Sequence, residues 1–122
     1  MKFLLSIYGN DDVWGSMEPA DRSELIRATD AHNKAMADAG ELLFACGVGE
    51  PVTNRQVAVD DAGATVVTDG PYLETKEYLG SFYIVDCEGI DRAIELAAGM
   101  PSARLTRVEV KPISHGGTID DL

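Results

Sequence analysis

The chain has 122 residues, 45% hydrophobic and 25% charged, and its 10 basic and 21 acidic side chains give a formal net charge of −11. This describes one soluble domain able to bury a core without staples. The acidic excess argues against nucleic acid or an anionic membrane as partner, because a phosphate surface needs Lys and Arg to displace its counterions, and no apolar run approaches the ~20 residues of a membrane helix.

Lys2 to Tyr8 is rich in β-branched and aromatic residues and predicts a first strand. The apolar run after Lys2 breaks at Gly9-Asn10-Asp11-Asp12, too short for a signal-peptide core, so the protein is expected in the cytoplasm. Gly9 to Met17 predicts a polar loop carrying the single tryptophan, Trp14. Pro19 suits a first helical turn, and the helix should run to about Ala39, where Gly40 ends it. Its apolar stripe is Leu25, Ala28, Thr29, His32, Ala35, Met36 and Ala39. Leu42 to Val48 predicts a second strand. Gln56–Val59 and Ala64–Thr68, joined by Asp60-Asp61-Ala62-Gly63, predict a hairpin. Tyr78 to Asp86 follows as a long strand, then a short helix from Ile90 to Gly99 with Ile90, Ile94 and Ala97 inward, closed by Pro101. Arg104 to Pro112 is the last predicted strand. Residues 1–113 form the domain, and 114–122, with Gly116-Gly117 and acidic residues, form a loose tail. Cys46 and Cys87 are predicted to be buried free thiols.

The order β-α-β, hairpin, β-α-β predicts an α+β, ferredoxin-like antiparallel sheet with two helices on one face. In the long strand Leu79, Ser81, Tyr83 and Val85 alternate with Tyr78, Phe82 and Ile84. In the first strand Phe3, Leu5 and Ile7 alternate with Leu4, Ser6 and Tyr8. Both faces are largely apolar, so the face without helices needs a cover. A second copy of the same sheet is the simplest one, and a homodimer with two sheets packed face to face is expected.

Asp69-Gly70-Pro71 predicts a turn, because Asp bonds nearby backbone N–H groups, Gly frees the dihedrals and Pro fixes φ. Glu74, Lys76 and Glu77 follow and lead into a buried strand. They read either as a solvated loop or as substrate-binding groups. His32 is one of two histidines and lies on a helix's apolar stripe. It reads either as a hydrogen-bonded core residue or as the group that titrates near neutrality. An adjacent carboxylate such as Asp69 would orient its ring and raise its pKa. Arg107, Glu109 and Lys111 share one face of the last strand, opposite Val108 and Val110, and read either as a charged rim or as the lining of a cleft. Two scattered His and two unpaired Cys supply no metal ligand set, and no phosphate loop, dinucleotide fingerprint or serine nucleophile motif is present.

The run Asp69-Gly70-Pro71-Tyr72, with Glu74, Lys76-Glu77, Leu79-Gly80 and Phe82-Tyr83-Ile84, resembles the signature of the DGPF-type branch of the YCII-related family. So do Ala39-Gly40 leading into Gly47-Val48-Gly49-Glu50, Ala93-Ile94-Glu95 with Pro101, and Val108 to Ile113. The likeness covers Met1 to Ile113; the family's usual Phe is Tyr72 here, and one common Gly is Ser81. The resemblance implies a ferredoxin-like fold and a dimeric α/β-barrel. It also implies acid–base machinery of a His–Asp pair, as suspected in the wider family, for which His32 and Asp69 would stand here. The resemblance also implies a link to extracytoplasmic-function sigma factors.

Three functions follow as expectations. The first is a cofactor-free enzyme moving protons on a small organic molecule, with His32 and Asp69 catalytic and Glu74, Lys76, Glu77, Arg107 and Glu109 binding substrate. The second is a small-ligand or sigma-factor-binding regulatory module. The third is a scaffold in which those charges only lock the insert onto the sheet. Fold analogy alone does not choose among them.

Overall fold

β1 (Lys2–Asn10) places Phe3, Leu5 and Ile7 on one face, and these three side chains are buried. The computed structural model describes residues 1–71 and 76–118. After β1 come α1 (Asp11–Gly15), α2 (Pro19–Asp38), β2 (Leu42–Gly47), β3 (Arg55–Val59), β4 (Thr65–Asp69), β5 (Glu77–Asp86), α3 (Ile90–Ala98) and β6 (Val108–Pro112). Four strands form a sheet of order β2-β5-β1-β6, with every neighbouring pair antiparallel. This mixed α+β arrangement is compatible with the ferredoxin-like plan. β3 and β4 pair only with each other and form a separate two-stranded ribbon. No helix among the described residues is long and apolar enough to cross a membrane.

The core lies between the sheet and the helices. Phe3, Leu5, Ile7, Tyr83 and Val85 supply the sheet side; Met36 of α2 and Ala93, Leu96 and Ala97 of α3 supply the helix side. Burying each large side chain contributes roughly 1.5–3 kcal/mol. Arg92 grips Glu41 at the start of β2 with two hydrogen bonds of 2.9 and 2.8 Å and also bonds Glu95 at 2.9 Å. The hydrogen bonds from Arg92 hold the Glu41 carboxyl below its ordinary pKa.

Four local expectations are corrected. The segment after β1 is not all loop: Asp11–Gly15 is a short helix, capped by Asn10, whose side chain accepts from the Asp12 N–H at 2.9 Å. On α2 only Met36 is buried; Leu25, Ala28, Thr29 and His32 are half-buried, and Ala35 and Ala39 are exposed. On α3 the inward residues are Ala93, Leu96 and Ala97, whereas Ile90 and Ile94 are exposed. Residues Pro101–Arg104 form a 3-10 turn rather than the start of a strand, and β6 begins only at Val108. Arg107 therefore does not share a sheet face with Glu109 and Lys111; it lines a groove between α3 and β6.

The pairing also fixes the second face of the sheet. Leu4 lies opposite Ile84, Ser6 opposite Phe82, and Phe44 and Cys46 of β2 opposite Ile84 and Phe82. The Phe44 and Phe82 ring centroids are 5.9 Å apart. Glu109 and Lys111 pair with Ser6 and Leu4 and so share this face, where the Tyr8 hydroxyl donates to Glu109 at 3.1 Å. Phe44 and Leu79 are exposed. Among the described residues the core helices pack on the opposite face; on this one Ser6 and Ile84 are nonetheless buried.

Candidate functional site

The β1–β5 ladder slips by one residue near its end. Ile7 faces Ser81, but Tyr8 faces Leu79, so Gly80 is bulged. Past the bulge the alternation of β5 is inverted. Leu79, expected beside Ser81 and Tyr83, moves to the outer face with Tyr8, and Tyr78 comes opposite Gly9 on the helix side. The Val48 N–H bonds the Gly80 carbonyl at 3.0 Å and ties the segment after β2 to the same point.

A cleft of about 300 Å³ opens there, at the end of the sheet beneath α1. Trp14 and Tyr78 are its aromatic walls, Ile7, Gly9 and Ser81 lie along the strands, and Val48, Glu50 and Ser102 complete the rim. Gly9 is required by this packing: a Cβ at that position would lie 2.7 Å from Tyr78 Cε2 and 2.8 Å from Trp14 Nε1. The α1 helix positions Asp11 to accept from the Tyr78 hydroxyl at 2.9 Å. Its neighbour Asp12 pairs with Lys76 at 3.0 Å, which fastens the start of β5 to α1. Burial raises the Tyr78 pKa, and the hydrogen bond to Asp11 and the negative charges of Asp11 and Glu50 raise it further. Tyr78 is thus a neutral phenol held in an anionic surrounding.

The residues singled out from sequence are dispersed. His32 lies between α2 and α3, where its Nε2–H donates to the Leu96 carbonyl at 2.9 Å. That carbonyl belongs to the last turn of α3 and has no partner within its own helix. The ring also fills the space beside Gly99, where a Cβ would fall 2.7 Å from His32 Cε1. Asp69 ends β4 and pairs with Arg55 at 3.1 Å, with a side chain 85% exposed. His32 and Asp69 thus have separate partners and are not hydrogen-bonded to each other. Gly70 adopts φ +92°, as the turn requires. Lys76 and Glu77 open β5 beside the cleft, with Glu77 opposite Asn10. Glu109 bonds Tyr8 on the outer face, and Arg107 lines the α3–β6 groove. Glu74 lies outside the described residues, as do residues 119–122 of the tail.

The groups that do converge, Trp14, Tyr78, Asp11 and Glu50, were not grouped by sequence spacing. The one available signal was the lone Trp in an otherwise polar segment. Among the described residues no cluster of three or more His, Cys, Asp or Glu side chains is arranged to hold a metal ion.

The His32 contact gives a stability prediction. His32→Ala leaves the Leu96 carbonyl unpaired and a gap beside Gly99, at a cost of about 1–3 kcal/mol. Thermal melting should show the loss, and His32→Gln, which retains a donor, should recover part of it. An unchanged melting temperature for His32→Ala would contradict the structural role.

A sequence model of the YCII-related domain matches residues 1–115. An uncharacterized protein of Rhizobium meliloti (strain 1021) is 28% identical over 116 residues, which cover 93% of each chain.

Proposed function

The chain belongs to the YCII-related family, and on that premise we propose that it binds a small organic molecule between Trp14 and Tyr78 and moves a proton on it without a cofactor. The observation that carries this reading is the grouping of the Tyr78 hydroxyl with two carboxylates, Asp11 and Glu50, beside an aromatic wall. Aromatic walls with a few convergent polar groups are the usual make-up of a small-molecule site. The local charge selects the ligand's head group. Asp11 and Glu50 repel carboxylates and phosphates and attract an ammonium, or a hydroxyl that donates. Tyr78, kept protonated, is the proton donor, and Glu50 is the acceptor. The functional unit is a dimer of the dimeric α/β-barrel kind, in which the outer sheet faces of two copies cover each other. The Asp69-Gly70-Pro71 turn, bonded by Gln56, holds the ribbon, and Lys76 on Asp12 holds the start of β5 at the cleft.

The test is a panel of small aromatic amines and the matching carboxylates, followed by thermal shift and by Trp14 fluorescence. A ligand that binds only the native state raises the melting midpoint by mass action. Amines should stabilise the protein and perturb Trp14, and Glu50→Gln should weaken the best amine about tenfold, the equivalent of ~1.4 kcal/mol. Carboxylates binding more tightly than amines would refute the reading.

A further inference from the structure

The β3–β4 ribbon stands apart from the main sheet and exposes apolar surface that its own subunit does not cover. Cross-strand register puts Arg55, Val57, Val59, Thr65, Val67 and Asp69 on one side. There Val57 and Val59 are each 67% exposed and Val67 is 59% exposed. A lone two-stranded ribbon is marginal in water, and a valine face turned to solvent is an unsatisfied packing surface. At the base, the Arg55–Asp69 pair neutralises itself, and the Gln56 side chain ties the ribbon to the carbonyls of Gly70 and Pro71 at 3.0 and 2.7 Å. At the tip, the Asp60 carboxylate is used within the turn, accepting from the Ala62 and Ala64 N–H groups. Asp61 is the acidic side chain left for a partner. Five residues per strand at about 3.3 Å each make an arm of ~17 Å.

Charge decides which surface such an arm can meet. The groove between α2 and the Pro101 turn is apolar, but its charged residues are Asp21, Glu24 and Arg104, so its one cation is outnumbered by charges of the same sign as the arm's tip. The hollow beside Met1 is edged by Glu88, Asp91 and Arg92, and its cations are already paired, Arg92 with Glu41 and Glu95 and the Met1 amine with Asp86. The groove between α3 and β6 differs: its walls are Ile94, Ala97, Ala98, Val108 and Val110, and its charged residue is Arg107, which has no ion-pair partner among the described residues. Small and branched apolar walls suit valines, and the cation suits Asp61. We propose that the β3–β4 ribbon is an intermolecular arm that seats its Val57-Val59-Val67 face in the α3–β6 groove of a second copy of this chain, with Asp61 against Arg107. This contact is distinct from the outer sheet face and goes beyond the ligand reading.

The test is a cross-link between differently labelled chains. In a Cys46→Ser background, a nitrogen-15-labelled Asp61→Cys chain is mixed with an unlabelled Arg107→Cys chain, oxidised mildly, and analysed by peptide mass spectrometry. A disulfide joining the labelled arm to the unlabelled groove is expected. Failure of the two chains to cross-link would overturn the proposal. Without cysteines, Asp61→Lys and Arg107→Glu should each weaken self-association roughly fivefold to tenfold, and the double exchange should restore it. Val57→Thr with Val67→Thr, which keeps β-branching but removes apolar surface, should weaken it as well. Unchanged association in all of these variants would also overturn the proposal. Amine binding in the cleft is read separately by Trp14 fluorescence, so that either idea can fail alone.

Discussion

Gly9→Ala should abolish ligand binding in the cleft while leaving the fold in place. The added methyl would sit 2.7 Å from the Tyr78 ring and 2.8 Å from the Trp14 indole nitrogen, closer than a real Cβ tolerates. Both rings belong to the cleft walls, so neither can retreat without changing its shape. Gly9 lies on β1, opposite Tyr78, and does not have a left-handed φ, so the backbone itself accepts alanine. The cost is overpacking, about 1–3 kcal/mol. Trp14 is the protein's one tryptophan, so its emission reports the displacement directly. The expected result is a shifted emission maximum, a lower melting temperature and no thermal shift with amines that stabilise the parent protein. A Gly9→Ala protein that binds them with unchanged affinity would place the ligand elsewhere.

Phe82→Lys should separate the proposed sheet-face dimer into folded subunits. Phe82 points away from the helices, stacks beside Phe44 and lies opposite Ser6 and Cys46. The substitution therefore leaves the Phe3-Leu5-Val85 core intact. In a face-to-face dimer the new ammonium would be buried against apolar side chains of the other copy, and the aromatic contact would be lost. Together these cost roughly 3 kcal/mol or more, over a hundredfold in the dimer dissociation constant. Sedimentation should show the parent as a dimer or larger and the variant as a smaller species, a monomer once Arg107→Glu also removes the arm contact, with unchanged helical circular dichroism. A parent protein that sediments as a monomer, or a Phe82→Lys, Arg107→Glu double variant that remains dimeric, would remove the sheet-face dimer.

The principal elements were legible because their periodicities are strong. The alternation in Phe3-Leu5-Ile7 marked β1, Pro19 and Gly40 bracketed α2, and Asp60-Asp61-Ala62-Gly63 marked the ribbon's turn. What escaped depends on interactions that no local pattern carries. α1 is five residues long and exists because Asn10 caps it and Tyr78 reaches Asp11. The inward face of α3 is Ala93, Leu96 and Ala97, while the larger apolar Ile90 and Ile94 face out, so size and hydrophobicity alone did not mark it. The bulge at Gly80 exchanged the roles of Tyr78 and Leu79, and with them the composition of the cleft. His32 and Asp69 were paired on chemical suitability and on the family resemblance, not on any spacing; the Leu96 carbonyl and Arg55 are their actual partners.

The slip at Gly80 has a consequence for how such a scaffold can change. Side chains along a strand alternate with a period of two, so one residue gained or lost at that point would turn Leu79 into the cleft and Tyr78 out of it. A phenol flanked by carboxylates would give way to an aliphatic wall with every remaining side chain kept as it was. For this pocket, a one-residue change in chain length would exchange two walls in a single step.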